Sequence, residues 1–78
     1  MPTILMIRGY RFFFYMNEHE PIHIHVAKAG CEARFDLVPE IDMTHCRGFR
    51  KNDIRDIINI LEDRYDDLIN AWSETFGK

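Results

Sequence analysis

The sequence predicts an α+β fold. A small antiparallel, twisted β-sheet, built of two hairpins and a short edge strand, carries one long C-terminal helix on one face. Three observations predict it. Residues 3–47 hold short apolar stretches broken by glycine turns, residues 52–76 hold apolar residues at helical spacing, and 78 residues leave room for one thin core that both parts must share. Residues 1–78 are accordingly read as one domain, with a sheet half at 3–47 and a helix at 52–76.

The first hairpin joins 3–8 to 11–16 around Gly9-Tyr10, since glycine at the first central position suits a type II′ turn. That register sets Ile7 opposite Phe12, Leu5 opposite Phe14, Ile4 opposite Tyr15 and Arg8 opposite Arg11, a costly pair of like charges. The run Phe12-Phe13-Phe14-Tyr15 is apolar on both faces, so its outer face calls for a cover from another element or another chain. Residues 17–21 form a polar loop. The second hairpin joins 22–27 to 32–38 around Ala29-Gly30. Its register pairs Val26 with Ala33, Ile24 with Phe35 and Ile22 with Leu37, all apolar, and leaves His25 opposite Arg34 and His23 opposite Asp36 on the other face. A three-residue loop would oppose Val26 to Glu32 and Ile24 to Arg34, and those mismatches exclude it.

Residues 40–47 read as a short edge strand that Gly48 ends. In the helix, Ile54, Ile58, Leu61, Tyr65, Leu68 and Trp72 recur at spacings of four and three, with Ile57, Ile69 and Phe76 widening the stripe. Asn52 or Asp53 is the expected N-cap, and Gly77 the expected stop. About 24 residues of helix span roughly 36 Å, more than a small sheet can cover, so the stripe is expected to overhang toward a partner. Phe13, Tyr15, Tyr65 and Trp72 are the candidate partner interface.

Composition removes several classes. Ten Lys and Arg stand against thirteen Asp and Glu, a net charge of −3. The imbalance lies in residues 51–78, where Asp53, Asp56, Glu62, Asp63, Asp66, Asp67 and Glu74 outnumber Lys51, Arg55, Arg64 and Lys78. This disfavours a protein that coats nucleic acid, while the neutral first fifty residues leave a local basic patch open. An apolar fraction of 46% is too high for a disordered chain. No apolar run approaches a membrane span, and the first eight residues lack the basic start of a signal peptide. Cys31 and Cys46 make neither a CxxC nor a disulfide framework. A cytoplasmic protein with free thiols, no membrane contact and no cofactor is expected.

The chemistry concentrates on the second hairpin. His23 and His25 point the same way, about 7 Å apart. Their face also displays Arg34 and Asp36, with Glu32 at its rim. Asp36 opposite His23 would hold the imidazole in one tautomer, as a general base or acid requires, and Arg34 beside His25 would clamp a phosphate. His23, His25, Arg34 and Asp36 are the candidate catalytic residues of a metal-independent ribonuclease that uses the RNA's own 2′-hydroxyl. The bland alternative is the polar outer face of a hairpin. A metal site on His19, His23, His25 and Asp36 is a further alternative, weakened by the charge of Arg34. His45 reads as a surface residue and Cys46 as packing. Arg8, Tyr10, Arg11, Glu18 and Arg47 are the candidate substrate-binding residues: three arginines with an aromatic neighbour at the turns, and one acid in the polar loop.

Over nearly its whole length the chain resembles a family of short prokaryotic proteins described as domain of unknown function 4160. The residues that carry the resemblance are Pro2-Thr3-Ile4, Gly9-Tyr10-Arg11-Phe12-Phe13-Phe14-Tyr15, Asn17-Glu18, and Pro21 with His23-Ile24-His25-Val26. Further along they are Gly30, Glu32-Ala33-Arg34-Phe35, Gly48-Phe49, Trp72 and Phe76. Arg8 departs from an expected glycine, Ile22 from proline and Met16 from a small polar residue. The resemblance implies a partner of antitoxin type encoded by the adjacent gene, often of the 2442 type, and the toxin role in that pair for this chain. The expected function is therefore a toxin acting on RNA or translation. The alternative is a non-enzymatic binding module, antitoxin-like or homodimeric.

Overall fold

The computed structural model describes residues 3–15 and 21–77. Five strands form one antiparallel sheet in simple meander order: β1 (Thr3–Ile7), β2 (Tyr10–Phe13), β3 (His23–Lys28), β4 (Cys31–Asp36) and β5 (Asp42–Arg47). Two helices follow, α1 (Lys51–Asp63) and α2 (Tyr65–Phe76). The fold is α+β as expected. The separate hairpins are merged, because β2 pairs with β3 through Phe12↔Val26 and Phe13↔His25. The single long helix is instead two.

The first turn lies one residue earlier than the sequence suggests. Arg8 and Gly9 occupy it with φ of 54° and 84°, a type I′ geometry whose twist matches the strands. The register becomes Ile7↔Tyr10, Met6↔Arg11 and Leu5↔Phe12, with an irregularity between Thr3 and Leu5. Arg8 and Arg11 are therefore not opposed. Arg8 reaches Asp56 on α1 at 3.6 Å, and its positive φ accounts for a glycine preference at that position. The second hairpin has the expected register: His23↔Asp36, Ile24↔Phe35, His25↔Arg34 and Val26↔Ala33, with Leu37 N–H donating to the Ile22 carbonyl at 2.8 Å. Ala29 and Gly30 make its type I′ turn at φ 51° and 83°. β5 is the edge strand expected, and Gly48 ends it at φ 96°, where a Cβ would lie 2.7 Å from Cys31 Sγ.

Alternation sorts the sheet into an inner and an outer face. Tyr10, Phe12, Ile24, Val26, Ala33 and Phe35 point inward and are buried against Ile57, Ile60, Leu61, Leu68 and Trp72 of the helices. The N-cap is Arg50 rather than Asn52 or Asp53. Asp53, at the third helical position, accepts the Arg50 N–H at 3.2 Å and the Tyr10 hydroxyl at 3.0 Å, which ties the helix start to β2. At Arg64 (φ −110°, ψ 18°) the helix breaks. The Arg64 N–H still donates to the Ile60 carbonyl and the Leu68 N–H to the Arg64 carbonyl, so hydrogen bonding runs through the break. From α2, Trp72 packs on Phe14 (5.2 Å) and His23 (5.3 Å) and the Tyr65 hydroxyl donates to the Leu37 carbonyl. The expected overhang is absent: Trp72 is buried and Tyr65 half-buried within the chain's own core. Gly77 closes α2 in the left-handed region at φ 75°. No helix among the described residues is long and apolar enough to cross a membrane.

Candidate active site on the outer sheet face

The outer face is a grid set by the pairing. One row runs Phe13–His25–Arg34–His45 across β2 to β5, and the row beside it runs Arg11–Ala27–Glu32–Arg47. His25 and His45 therefore flank Arg34, one on each neighbouring strand, about 10 Å apart at two strand spacings. Tyr15, His25, Glu32, Arg34 and His45 line an open concavity of about 300 Å³.

His45 reaches this face through a bulge. In a regular strand Met43 and His45 share a side, and Met43 is opposite the inward-facing Phe35. The register slips between Arg34 and Phe35, so that His45 stands opposite Arg34 and Cys46 turns inward opposite Ala33. The Thr44 hydroxyl donates to the Arg34 carbonyl at 3.4 Å at that slip. Such bulges re-aim side chains next to functional sites. His45 is exposed and Cys46 half-buried, as the sequence suggests, but the sequence did not place His45 beside Arg34. The only available signal was that β5 must return Cys46 to the core.

An aromatic wall stands behind His25. Its ring stacks on Phe13 at 5.6 Å and meets Tyr15 edge-on at 4.4 Å. The Arg11 guanidinium lies 4.4 Å over the Phe13 ring. Phe13 is 2% exposed, and of the two covers expected, another element or another chain, its own neighbours Arg11, Tyr15 and His25 supply one. Tyr15 remains 43% exposed.

Arg34 points one amino group at Asp36, 3.4 Å away, while its Nε–H is buried with no hydrogen-bond partner among the described residues. Asp36 therefore serves Arg34 and not His23, although the backbone register sets it opposite His23 as expected. His23 Nδ1 donates to the Pro21 carbonyl at 2.7 Å. His23 is only 2% exposed, wedged between His25 and Trp72. It supports the site from below, and the imidazoles facing the concavity are His25 and His45.

The candidate substrate-binding residues separate. Arg47 lies on the same face, held by Glu32 at 3.3 Å, and Arg11 borders it. Arg8 lies beyond the first turn on Asp56. Tyr10 is a core residue, 2% exposed. Burial first, then its hydrogen bond to Asp53, pushes its phenol up to about 12. Glu18 and His19 lie outside the described residues. Among the described residues no three of His, Cys, Asp and Glu gather closely enough to hold a metal ion.

The family model described as domain of unknown function (DUF4160) matches residues 9–73. No curated protein and no solved structure matches the chain. The match spans most of the sequence, including every residue of the outer-face grid, and the chain belongs to the DUF4160 family.

Proposed function

We propose that this member of the DUF4160 family is the toxin of a two-gene module and cuts RNA on the outer face of its sheet. The observation that carries the reading is the row His25–Arg34–His45, open to solvent in one concavity. Arg34 is the phosphate clamp, its side chain 36% exposed so that its guanidinium can meet an anionic oxygen. One flanking imidazole takes the proton of the ribose 2′-hydroxyl. The 2′-oxygen forms a bond to phosphorus, the bond from phosphorus to the 5′-oxygen breaks, and the other imidazole, protonated, gives its proton to that leaving oxygen. The products are a 2′,3′-cyclic phosphate and a 5′-hydroxyl, and no water or oxidant is consumed. Asp36 orients Arg34, and Phe13, Tyr15 and His23 fix the His25 ring.

The test is controlled expression, followed by cleavage of a labelled RNA by the purified chain. His25→Ala and His45→Ala are each expected to slow cleavage about 10²–10⁴-fold, the usual worth of a general acid or base. Arg34→Ala is expected to cost about 10²–10³-fold through lost charge stabilisation. The rate of the wild type should be bell-shaped in pH, because the two imidazoles must be in opposite protonation states. Full growth inhibition by folded His45→Ala and Arg34→Ala variants would sink the proposal.

A protein-binding module is the second reading, and β1 favours it. This edge strand, Thr3–Ile7, carries no charged residue, and Met6 is 65% exposed, whereas natural edge strands are usually blunted by charge. A stable complex with the neighbouring gene's product that leaves RNA intact, with or without that product, would select this reading.

A further inference from the structure

We infer that the outer face takes single-stranded RNA, with one unpaired base stacked on Tyr15 while the adjoining phosphate sits at Arg34. The inference rests on the cleavage reading of this face and adds what the face accepts. Tyr15 is the exposed aromatic side chain of the concavity: Phe13 is buried beneath it, and the Tyr15 ring stands edge-on to His25 at 4.4 Å with 43% of its surface open. A base reaches such a ring only when it has left its own stack, which loops and single strands allow and a regular duplex does not.

The imidazole spacing argues the same way. His25 and His45 stand on opposite sides of Arg34, the arrangement that in-line displacement requires of base and acid. A regular A-form backbone holds its 2′-oxygen away from that line, whereas a flexible strand can reach it. The volume of about 300 Å³ suits a single nucleotide and not a helix end. Charge limits the footprint. Arg11, Arg34 and Arg47 are the arginines of this face, two of them flanking Glu32, while the acidic residues of α1 and α2 lie on the helical side. Three phosphate contacts on a single strand give a slope of about −2 in log affinity against log salt, shallow for a nucleic-acid-binding protein.

The test is fluorescence anisotropy with a short mixed-sequence 2′-O-methyl RNA, which lacks the attacking hydroxyl and is bound without being cut. The RNA is presented alone and annealed to its complement, to wild type, Tyr15→Ala and Tyr15→Phe. The single strand is expected to bind at least about tenfold more tightly than the duplex. Tyr15→Ala should weaken single-strand binding by about 5- to 100-fold, the worth of one stacked base, and Tyr15→Phe should retain it. Circular dichroism checks that the alanine variant is folded. Equal binding of the two forms, or full affinity in folded Tyr15→Ala, overturns the inference. If wild type shows the expected preference but leaves unmodified RNA uncut, the stacking subsite stands and the cleavage reading falls. If it cuts RNA and Tyr15→Ala binds and cuts as wild type does, the reverse holds.

Discussion

The Tyr10 hydroxyl and the Arg50 amide both donate to Asp53, and this shared carboxylate joins β2 to the start of α1. The two groups are shifted in opposite directions. Asp53 is held below the ordinary carboxylate value, first by the Arg50 amide and then by the Tyr10 hydroxyl. Tyr10 is raised from 10.0 to about 12. A raised phenol contributes stability fully below its unfolded value and loses it as pH rises through its folded value, so stability should decline between pH 10 and about 12. The lowered Asp53 acts at the other end: its contribution is present above the unfolded carboxylate value and is lost as pH falls through the folded one. Tyr10→Phe is expected to cost about 2 kcal/mol at neutral pH, the worth of a hydrogen bond to a charged group, and to flatten the alkaline decline. Urea unfolding at neutral and alkaline pH measures both, and an unchanged alkaline decline in the phenylalanine variant contradicts the assignment. The sequence showed Tyr10 only as an aromatic beside two arginines, because a phenol's partner 43 residues away leaves no local trace.

The two hairpins differ in how far their pattern determines them. Ile22, Ile24 and Val26 alternate with polar residues, as do Ala33, Phe35 and Leu37, so a one-residue slip would bury His25 and Arg34 and the register is unique. The run Phe12-Phe13-Phe14-Tyr15 does not alternate, and turn geometry decides instead. Both turns are type I′ with a non-glycine residue at the first central position, Arg8 and Ala29. Left-handed backbone costs an alanine about 1–2 kcal/mol, and asparagine relieves much of that. Ala29→Asn should therefore raise stability by about 0.5–1 kcal/mol. A lower urea midpoint for this variant would mean that the turn has been misassigned. The bulge of β5 is the element-scale feature that assembles the site, since it sets His45 opposite Arg34 while Met43 stays opposite Phe35. The outward His45 and the inward Cys46 were readable from the sequence, as was His25 opposite Arg34, but a bulge has no compositional signature, so the pairing of His45 with Arg34 was not.

At the scale of the molecule, α2 joins the helical half to the sheet half through Trp72. Trp72 of α2 packs on Phe14 and His23 of the sheet half and on Phe76 of its own helix. Trp72→Ala removes the largest side chain of that contact. It is expected to cost about 3–5 kcal/mol, a large share of the stability of a domain this small. It should also loosen His23 and, through it, His25. Urea unfolding reads the first effect, and the imidazole resonances in NMR read the second. Unchanged His25 resonances in a destabilised variant would separate the core from the outer face.

Three things follow from the sequence by itself: the α+β class, the inner and outer faces of the second hairpin, and the segregation of acidic residues onto the helical half. Each depends on periodicity or composition, which are local and additive. The tertiary structure alone decided the break at Arg64, the burial of Tyr10, Phe13 and Trp72, the pairing of Asp36 with Arg34, and the arrival of His45 beside Arg34. These depend on which surfaces meet once the chain has closed on itself, and where a helix breaks or a strand gains one residue is set by packing as a whole.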